Sequence, residues 1–397
     1  MIGIESDRAA STSLGAYYTP EREQLQQVTR EFAMTDVLPI ANRLDPVQGK
    51  IPIELRKKMA DLGLFALLVP SQYGGLGLGM MEYCVVTEEL SRAWMSVASI
   101  IGRAALPADL TEEQRIKMYP KVMTGEYLGA GALSEPDAGS DLAAISCHAH
   151  RDGDDWVING QKMWCTNADD ASFISLLCRS SPRNPANRRE GIGLFFIEKE
   201  PGTFPVGILA ERIHTIGYHG WYTFALSFDD FRVPASALLR PSGAFEDAAS
   251  GLFAARLHTA ARAIGLARGG LEDATQYALD RVQFNKPIAS FQAIRFKLAN
   301  MATEIEVARQ MMYYVAHEID EGRGALRYKE AAMAKLFATE MSERVTSEAL
   351  QIHGGYGYTT DFAVERYWRD ARLTKIFEGT SEIQQHIIAN RMLGPLR

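Results

Sequence analysis

Four apolar stretches decide the fold: Trp156-Val-Ile-Asn-Gly-Gln-Lys-Met-Trp164, SFISLLC at 172–178, IGLFFIEK at 192–199 and YTFALSFDDFRV at 222–233. Each is short, rich in β-branched and aromatic residues, and separated from the next by a polar loop. Because no helical segment lies between them, they predict an antiparallel sandwich or barrel and argue against a parallel βαβ sheet. Asn159-Gly160 predicts a two-residue hairpin turn inside the first stretch.

Helical periodicity flanks this strand-rich region on both sides. On the N-terminal side, Pro20 suits the first turn of a helix through 21–38, and a second helix is predicted over 52–64. On the C-terminal side, long runs with short connections predict a four-helix bundle, with helices over 252–281, 291–320, 328–354 and 381–393. Gly354-Gly355 is expected to end the third of these helices.

Composition narrows the function before any motif is considered. The chain has 397 residues, which allows two or three domains, and a net charge of −7 without a basic block, which disfavours nucleic-acid binding. No apolar run is long enough to span a bilayer, and the N-terminus lacks the order of a signal peptide. The four cysteines form no C-x-x-C pair, so we expect a cytoplasmic protein without a metal site.

A glycine-rich segment, Tyr73-Gly-Gly-Leu-Gly-Leu-Gly79, suggests a dinucleotide-binding loop at first sight. Its glycines do not fit G-x-G-x-x-G, and no strand precedes it. A helix-capping turn is therefore the favoured interpretation.

Two longer motifs carry the function: Ala132-Leu-Ser-Glu-Pro-Asp-Ala-Gly-Ser-Asp-Leu-Ala-Ala144 and Gln351-Ile-His-Gly-Gly-Tyr-Gly-Tyr-Thr-Thr-Asp361. From about residue 20 to its end, the chain resembles the acyl-CoA dehydrogenase family. Three further stretches agree with that resemblance: Lys162–Thr166, Arg281–Phe284 with Phe291-Gln292, and Ile376–Ser381.

The resemblance implies an α+β multidomain fold in the same order that periodicity indicates. It places an N-terminal α-helical domain at 1–126, a middle antiparallel β-barrel at 127–240 and a C-terminal four-helix bundle at 241–397. It also implies FAD as cofactor, an acyl-CoA substrate, an electron-transfer flavoprotein as electron acceptor and a homotetramer built as a dimer of dimers.

Glu378 is the candidate catalytic base for removal of the α-proton from the thioester. A carboxylate between an apolar ring and a glycine can be desolvated, which would raise its pKa. The alternative is an ordinary acidic residue near a helix N-terminus. Some branches of the family carry the base before an arginine on an earlier helix; here that arginine is Arg256, and Ala255 before it cannot act as a base.

The resemblance also implies the binding residues. Those for FAD are Leu133, Ser134, Gly139, Ser140, Trp164, Thr166, Arg281, Phe284, Gln292, Gln351, Gly354, Gly355 and Thr380. Those for the substrate are Ser140, Arg256, Phe377 and Gly379. Arg281 and Phe284 are expected to reach the FAD of a neighbouring subunit. Taken alone, Trp164 could equally be a core residue of the sheet, and Arg281 a salt-bridge partner at a helix end.

The acyl group is left open by the sequence. The connection 99–111 is short for the family, and Arg103 within it could pair with a carboxylate on the acyl chain or simply lie at the surface. Two functional alternatives also stay open. One is a specialised member, an acyl-CoA oxidase or a desulfinase-like enzyme; the other is a non-catalytic acyl-CoA- or FAD-binding subunit.

Overall fold

The computed structural model describes residues 14–394, apart from the side chains of 245–253. By its contacts the chain divides into two compact units. The helical unit comprises 14–47, 78–99 and 254–394 of the described chain, and the sheet unit comprises Gln48–Gly77 and Ile100–Phe253. The predicted boundaries near residues 126 and 240 stay a prediction.

Eleven α-helices are found in the described residues. They are α1 (Pro20–Phe32), α2 (Leu38–Leu44), α3 (Ile53–Asp61), α4 (Met80–Ala93), α5 (Met95–Ile100), α6 (Glu112–Met123), α7 (Ala244–Asp280), α8 (Gln292–Asp320), α9 (Tyr328–His353), α10 (Val364–Thr374) and α11 (Ser381–Leu393). None of them, within the described part of the chain, combines the length and apolar character needed to cross a bilayer.

Local sequence signals explain several helix ends. Pro20 opens α1 as predicted, and Thr19 before it accepts a hydrogen bond from the Arg22 main-chain N–H. The glycine-rich segment does cap a helix: Gly79 is the residue before α4. Gly354, at φ 60°, ends α9 where the sequence predicted a stop.

The C-terminal helical region holds one more helix than predicted. α9 packs against α8, α10 and α11, and α10 is the short helix that the sequence analysis missed. Its apolar residues are few but lie on one face, where Val364, Tyr367 and Ala371 are fully buried. Most of its other residues are charged, so the helical spacing of the apolar residues is not evident in the sequence.

The strands lie in the sheet unit, apart from a small two-stranded hairpin in the helical unit. The strands of the larger sheet are β1 (Gly129–Ala132), β2 (His148–Asp152), β3 (Asp155–Thr166), β4 (Phe173–Arg179), β5 (Ile192–Glu198), β6 (Ile208–Ile213), β7 (Thr223–Pro234) and β8 (Leu238–Arg240). The hairpin consists of β9 (Val282–Gln283) and β10 (Lys286–Pro287).

The prediction of a closed antiparallel barrel is not confirmed. The strand order is β6-β7-β3-β2-β4-β5-β8, with β1 added beside β4, so the described sheet is open with β6 and β8 at its edges. It is also mixed, because β1 pairs in parallel with β4. Alternation of apolar residues reveals which face of a strand is buried, but it carries no information on whether two edges join.

The predicted hairpin turn at Asn159-Gly160 is wrong. β3 runs straight through these residues, and the turn lies earlier, at Gly153-Asp154 between β2 and β3. Gly160 instead marks a β-bulge, where the register between β3 and β7 shifts. Its φ is +134°, and a Cβ there would lie 2.6 Å from Cα of Cys147, so only glycine fits.

Candidate active site

The candidate base lies in a tight turn between α10 and α11. Glu378 has φ 56° and Gly379 has φ 93°, so two successive residues adopt the left-handed region. This conformation is unfavourable for glutamate and easy for glycine. Thr380 then caps α11 by accepting a hydrogen bond from the Ile383 main-chain N–H at 3.3 Å.

Two residues of α7 hold the carboxylate of Glu378. Nη2 of Arg262 donates to both carboxylate oxygens at 2.8 Å, and the Thr259 hydroxyl donates a short hydrogen bond to Oε2. Thr259 and Arg262 are three residues apart and therefore share one helix face. The side chain of Arg262 is 1% exposed, whereas that of Glu378 is 28% exposed.

The expectation that desolvation raises the pKa of Glu378 needs correction. Burial alone does raise this pKa, but the charges of Arg262 and His258 and the two side-chain hydrogen bonds outweigh it. The net pKa of Glu378 lies below its ordinary value. The carboxylate is therefore ionised at neutral pH.

A buried lysine holds the same turn from α9. Lys335 is fully buried, and its Nζ donates to the main-chain carbonyl of Gly379 at 2.8 Å. Burial is the largest influence on this ammonium group and lowers the pKa of Lys335 to about 8.

The predicted substrate residues of the helical unit lie around this turn or on the same helix as its partners. The guanidinium of Arg262 stacks over the ring of Phe377, 4.5 Å from its centroid. Arg256 of α7 is buried and donates to the Tyr328 hydroxyl at 3.0 Å. Its Nε and Nη1 have no hydrogen-bond partner among the described residues, so two donors of this charged group are available to a ligand.

In the sheet unit, the structure brings four of the predicted flavin residues together. The main-chain N–H of Met163 donates to the carbonyl of Ser134 at 2.8 Å, and Lys162 Nζ donates to that of Leu133, also at 2.8 Å. Trp164 follows with φ 63° and 58% of its surface exposed, so it is not a plain core residue. Thr166, at the end of β3, shares a 3.0 Å hydrogen bond with Thr223.

Gly139 and Ser140 lie on an exposed turn just beyond this group. A Cβ added to Gly139 would meet nothing within 4 Å.

A third group of predicted residues lies in the helical unit, where α7 and α9 end. The Arg281 guanidinium lies 5.5 Å from the ring centroid of Tyr356, and the Tyr277 and His353 rings stack at 4.3 Å. Phe284, at the tip of the β9–β10 hairpin, is 86% exposed. The other members are exposed: Gln292, Gln351, Gly354 and Gly355.

Sequence reasoning missed the residues that support the turn. Thr259 and Lys335 touch Glu378 and Gly379 from helices far along the chain. Only a weak signal marks Lys335: its neighbours on the same helix face are mostly alanines, and a lysine buried on such a face needs a hydrogen-bond partner. Within the described residues, no group of three or more His, Cys, Asp or Glu side chains could hold a metal ion.

Comparison with known proteins identifies the family. Residues 19–126, 130–231 and 245–393 match the N-terminal, middle and C-terminal domains of acyl-CoA dehydrogenases. An acyl-CoA dehydrogenase of Bacillus subtilis (strain 168) is 37% identical over 385 residues, which cover 95% of this chain and 99% of that protein. The (2S)-methylsuccinyl-CoA dehydrogenase of Cereibacter sphaeroides is 37% identical over 406 residues, covering 99% of this chain and 73% of that protein.

Comparison with solved structures identifies the same family. Butyryl-CoA dehydrogenase from Megasphaera elsdenii has a TM-score of 0.87 and 31% identity, covering 95% of this chain and 99% of that one. The chain is thus an FAD-dependent oxidoreductase that acts on acyl-CoA thioesters. It belongs to the acyl-CoA dehydrogenase family.

The residues present fit FAD. Trp164 offers an exposed aromatic ring on the same strand as Thr166, and Met163 before it is bonded to the main chain of Ser134, a suitable set for a flat, polar-edged ring. Arg281 provides positive charge for a phosphate group. At Gly139, Gly354 and Gly355 an added Cβ would meet open space, so a ligand can approach the main chain closely.

Proposed function

We propose that Glu378 is the base that removes the α-proton from an acyl-CoA, giving the trans-2-enoyl-CoA. FAD, when bound, supplies the acceptor for the β-hydride. The observation that carries the proposal is the carboxylate itself: it is ionised, 28% exposed and set on a left-handed backbone. Strained backbone of this kind persists where function requires a side chain in one place.

The turn can also stabilise the enolate that forms when the proton leaves. We assign the main-chain N–H of Glu378 as a donor to the thioester carbonyl, where negative charge develops. Lys335 supports this role, because its hydrogen bond to the Gly379 carbonyl holds the residue after Glu378 in the same turn. Arg256, Phe377, Gly379 and Ser140 are assigned to the acyl-CoA, Arg256 because its buried guanidinium has unused donors.

For the flavin ring we assign Leu133, Ser134, Trp164 and Thr166. Gly139 and Ser140 are assigned to phosphate oxygens, and Thr380 to the pyrophosphate. Gln292, Gln351, Gly354 and Gly355 are assigned to the adenosine end, and Arg281 and Phe284 to the pyrophosphate and adenine of a neighbouring subunit's FAD. The exposure of Phe284 supports this last assignment, because an aromatic ring that is 86% exposed in one chain is suited to burial by another.

That sharing requires an oligomer, and we propose a homotetramer. We propose an electron-transfer flavoprotein as the acceptor that reoxidises the enzyme, and the cytoplasm as its location.

The experiment compares the wild-type holoenzyme with Glu378→Gln. Under anaerobic conditions, acyl-CoA bleaches the flavin absorbance of the wild type, and the variant loses this reaction by at least about 10²-fold while keeping its FAD. A panel of straight, branched, cyclic and dicarboxylic acyl-CoAs defines the substrate. Full bleaching by the variant would refute the role of Glu378. A wild-type protein that retains FAD but is bleached by no acyl-CoA would indicate the non-catalytic alternative. Reoxidation of the reduced flavin by O₂ alone would indicate an acyl-CoA oxidase.

A further inference from the structure

Arg262 is a buried guanidinium whose contacts converge on the candidate base. Its side chain is 1% exposed and lies on α7, a helix otherwise rich in alanine here. Nη1 donates to the hydroxyl of Ser99 on α5 at 2.9 Å. Nη2 donates to the Thr259 hydroxyl at 3.0 Å and to both oxygens of Glu378. Nη1 of the guanidinium is thus anchored on α5, while Nη2 holds the carboxylate of Glu378.

We propose that Arg262 is a positioning residue for the reaction: it keeps Glu378 charged and fixes the direction of its carboxylate from a rigid, buried anchor. This inference rests on the assignment of Glu378 as the base.

The surroundings explain why this role falls to Arg262. On α7, His258 and Arg256 also face the region; His258 is bonded to the Ala98 carbonyl and contacts Tyr83 of α4. On α9, Lys335 is bonded to the Gly379 carbonyl, and Glu340 is bonded to Ser381 and paired with Lys375. Arg262 donates to both oxygens of the Glu378 carboxylate. Removing it would leave the burial of Glu378 opposed only by weaker influences.

A second buried arginine on α7 shows what a purely structural pair looks like. Arg268 uses two separate nitrogens for the two oxygens of Glu89, at 2.6 and 2.5 Å, and the Glu89 side chain is 0% exposed. Arg262 instead contacts both oxygens of Glu378 through one nitrogen, and that carboxylate is partly exposed. The Glu378 carboxylate therefore keeps lone pairs that can accept a proton, whereas those of Glu89 are occupied by its partners.

The test is the pH profile of kcat/KM for the holoenzyme, which reports ionisation in the free enzyme. Arg262→Gln should move the acid limb upward by about one pH unit or more and lower kcat by about 10-fold or more, with KM little changed. Arg262→Lys should return the limb toward the wild-type position. Arg268→Gln is the matched control: it removes a buried arginine from the same helix and should lower Tm without moving the limb.

A second readout separates this inference from the proposed function. The infrared difference spectrum between each protein and its Glu378→Gln counterpart reports whether the carboxyl group is ionised, whatever its catalytic role. A protonated Glu378 in Arg262→Gln at a pH where the wild type is ionised supports the proposal. An unchanged acid limb and an ionised Glu378 in that variant would overturn it. Should Arg262→Gln fail to fold, Ser99→Ala is the second variant, because it removes the hydrogen bond that anchors the Arg262 guanidinium. We expect it to lower kcat at constant KM. An unchanged kcat in Ser99→Ala would overturn the proposal.

Discussion

Each unit contains a buried lysine that binds a main-chain carbonyl of a candidate site segment. In the sheet unit, Lys162 binds the Leu133 carbonyl and the carboxylate of Glu135, both at 2.8 Å. In the helical unit, Lys335 binds the Gly379 carbonyl beside Glu378. In both places the carboxyl group has a lowered pKa, because nearby positive charge and hydrogen bonds outweigh burial. The two carboxylates nevertheless differ in what they can do.

Glu135 has its acceptor capacity filled. Besides Lys162, the main-chain N–H and hydroxyl of Ser146 donate to it at 2.6 and 2.8 Å, and the main-chain N–H of Cys147 at 3.0 Å. The residue is 5% exposed. Glu378 is more exposed, is held by two side chains and lies on a strained backbone. Hydrogen-bond saturation and backbone strain therefore distinguish Glu135 from Glu378, the proposed base, whereas the direction of the pKa shift does not.

The largest effect is expected in the sheet unit. Lys162→Met leaves Glu135 buried without its cation and should lower the free energy of unfolding by about 3–5 kcal/mol. Urea denaturation measures this loss. The matched control is the double variant Lys162→Met/Glu135→Leu, which removes both charges and should recover most of the loss. If the double variant is as unstable as the single one, the loss does not come from the unpaired charge of Glu135 and the prediction is wrong.

Lys335 should give the stability a distinctive pH dependence. Its pKa is about 8 in the folded protein and 10.5 ordinarily, so between these values the unfolded chain binds more protons. Stability therefore rises with pH across this window, by up to about 3 kcal/mol relative to Lys335→Met. Unfolding at a series of pH values measures the difference. Lys297→Met, at a more exposed lysine, serves as the control; a flat difference for Lys335→Met would contradict the expectation.

The backbone strain at Glu378 predicts the smallest effect. Both Glu378→Gly and Glu378→Ala remove the carboxylate, but only glycine accepts φ 56° without strain, so the glycine variant should be the more stable by about 1 kcal/mol. Thermal unfolding of the two variants measures the gap. At Glu343, inside α9, the same two substitutions should give the opposite order. The same order at both sites would mean that the turn is unstrained.

The sequence predicted what depends on local pattern. The helical and strand-rich regions follow in the predicted order, and Pro20, Gly79 and Gly354 mark helix ends because their conformational limits act within one or two residues. Glu378 and its turn residues could be named as candidates because they lie together in one motif, and the role of Glu378 as the base stays a prediction.

What depends on distant contacts was not predictable. Arg262 and Glu378 are 116 positions apart, and nothing in either local sequence pairs them. The charge of Arg262 reversed the expected direction of the Glu378 pKa shift. Gly160 was misassigned for a related reason: the Asn-Gly pair fits a turn, and only the neighbouring Cys147 main chain reveals a bulge.

The arrangement on α7 also limits how this gene can change in length. Thr259 and Arg262 reach the same carboxylate because they lie on one face of a continuous helix. Each residue added to or removed from an α-helix turns everything beyond it by about 100°. An insertion or deletion of one codon between these two positions would point one of the side chains away from Glu378. Substitutions are tolerable in this stretch wherever the face is preserved, whereas its residue count is fixed.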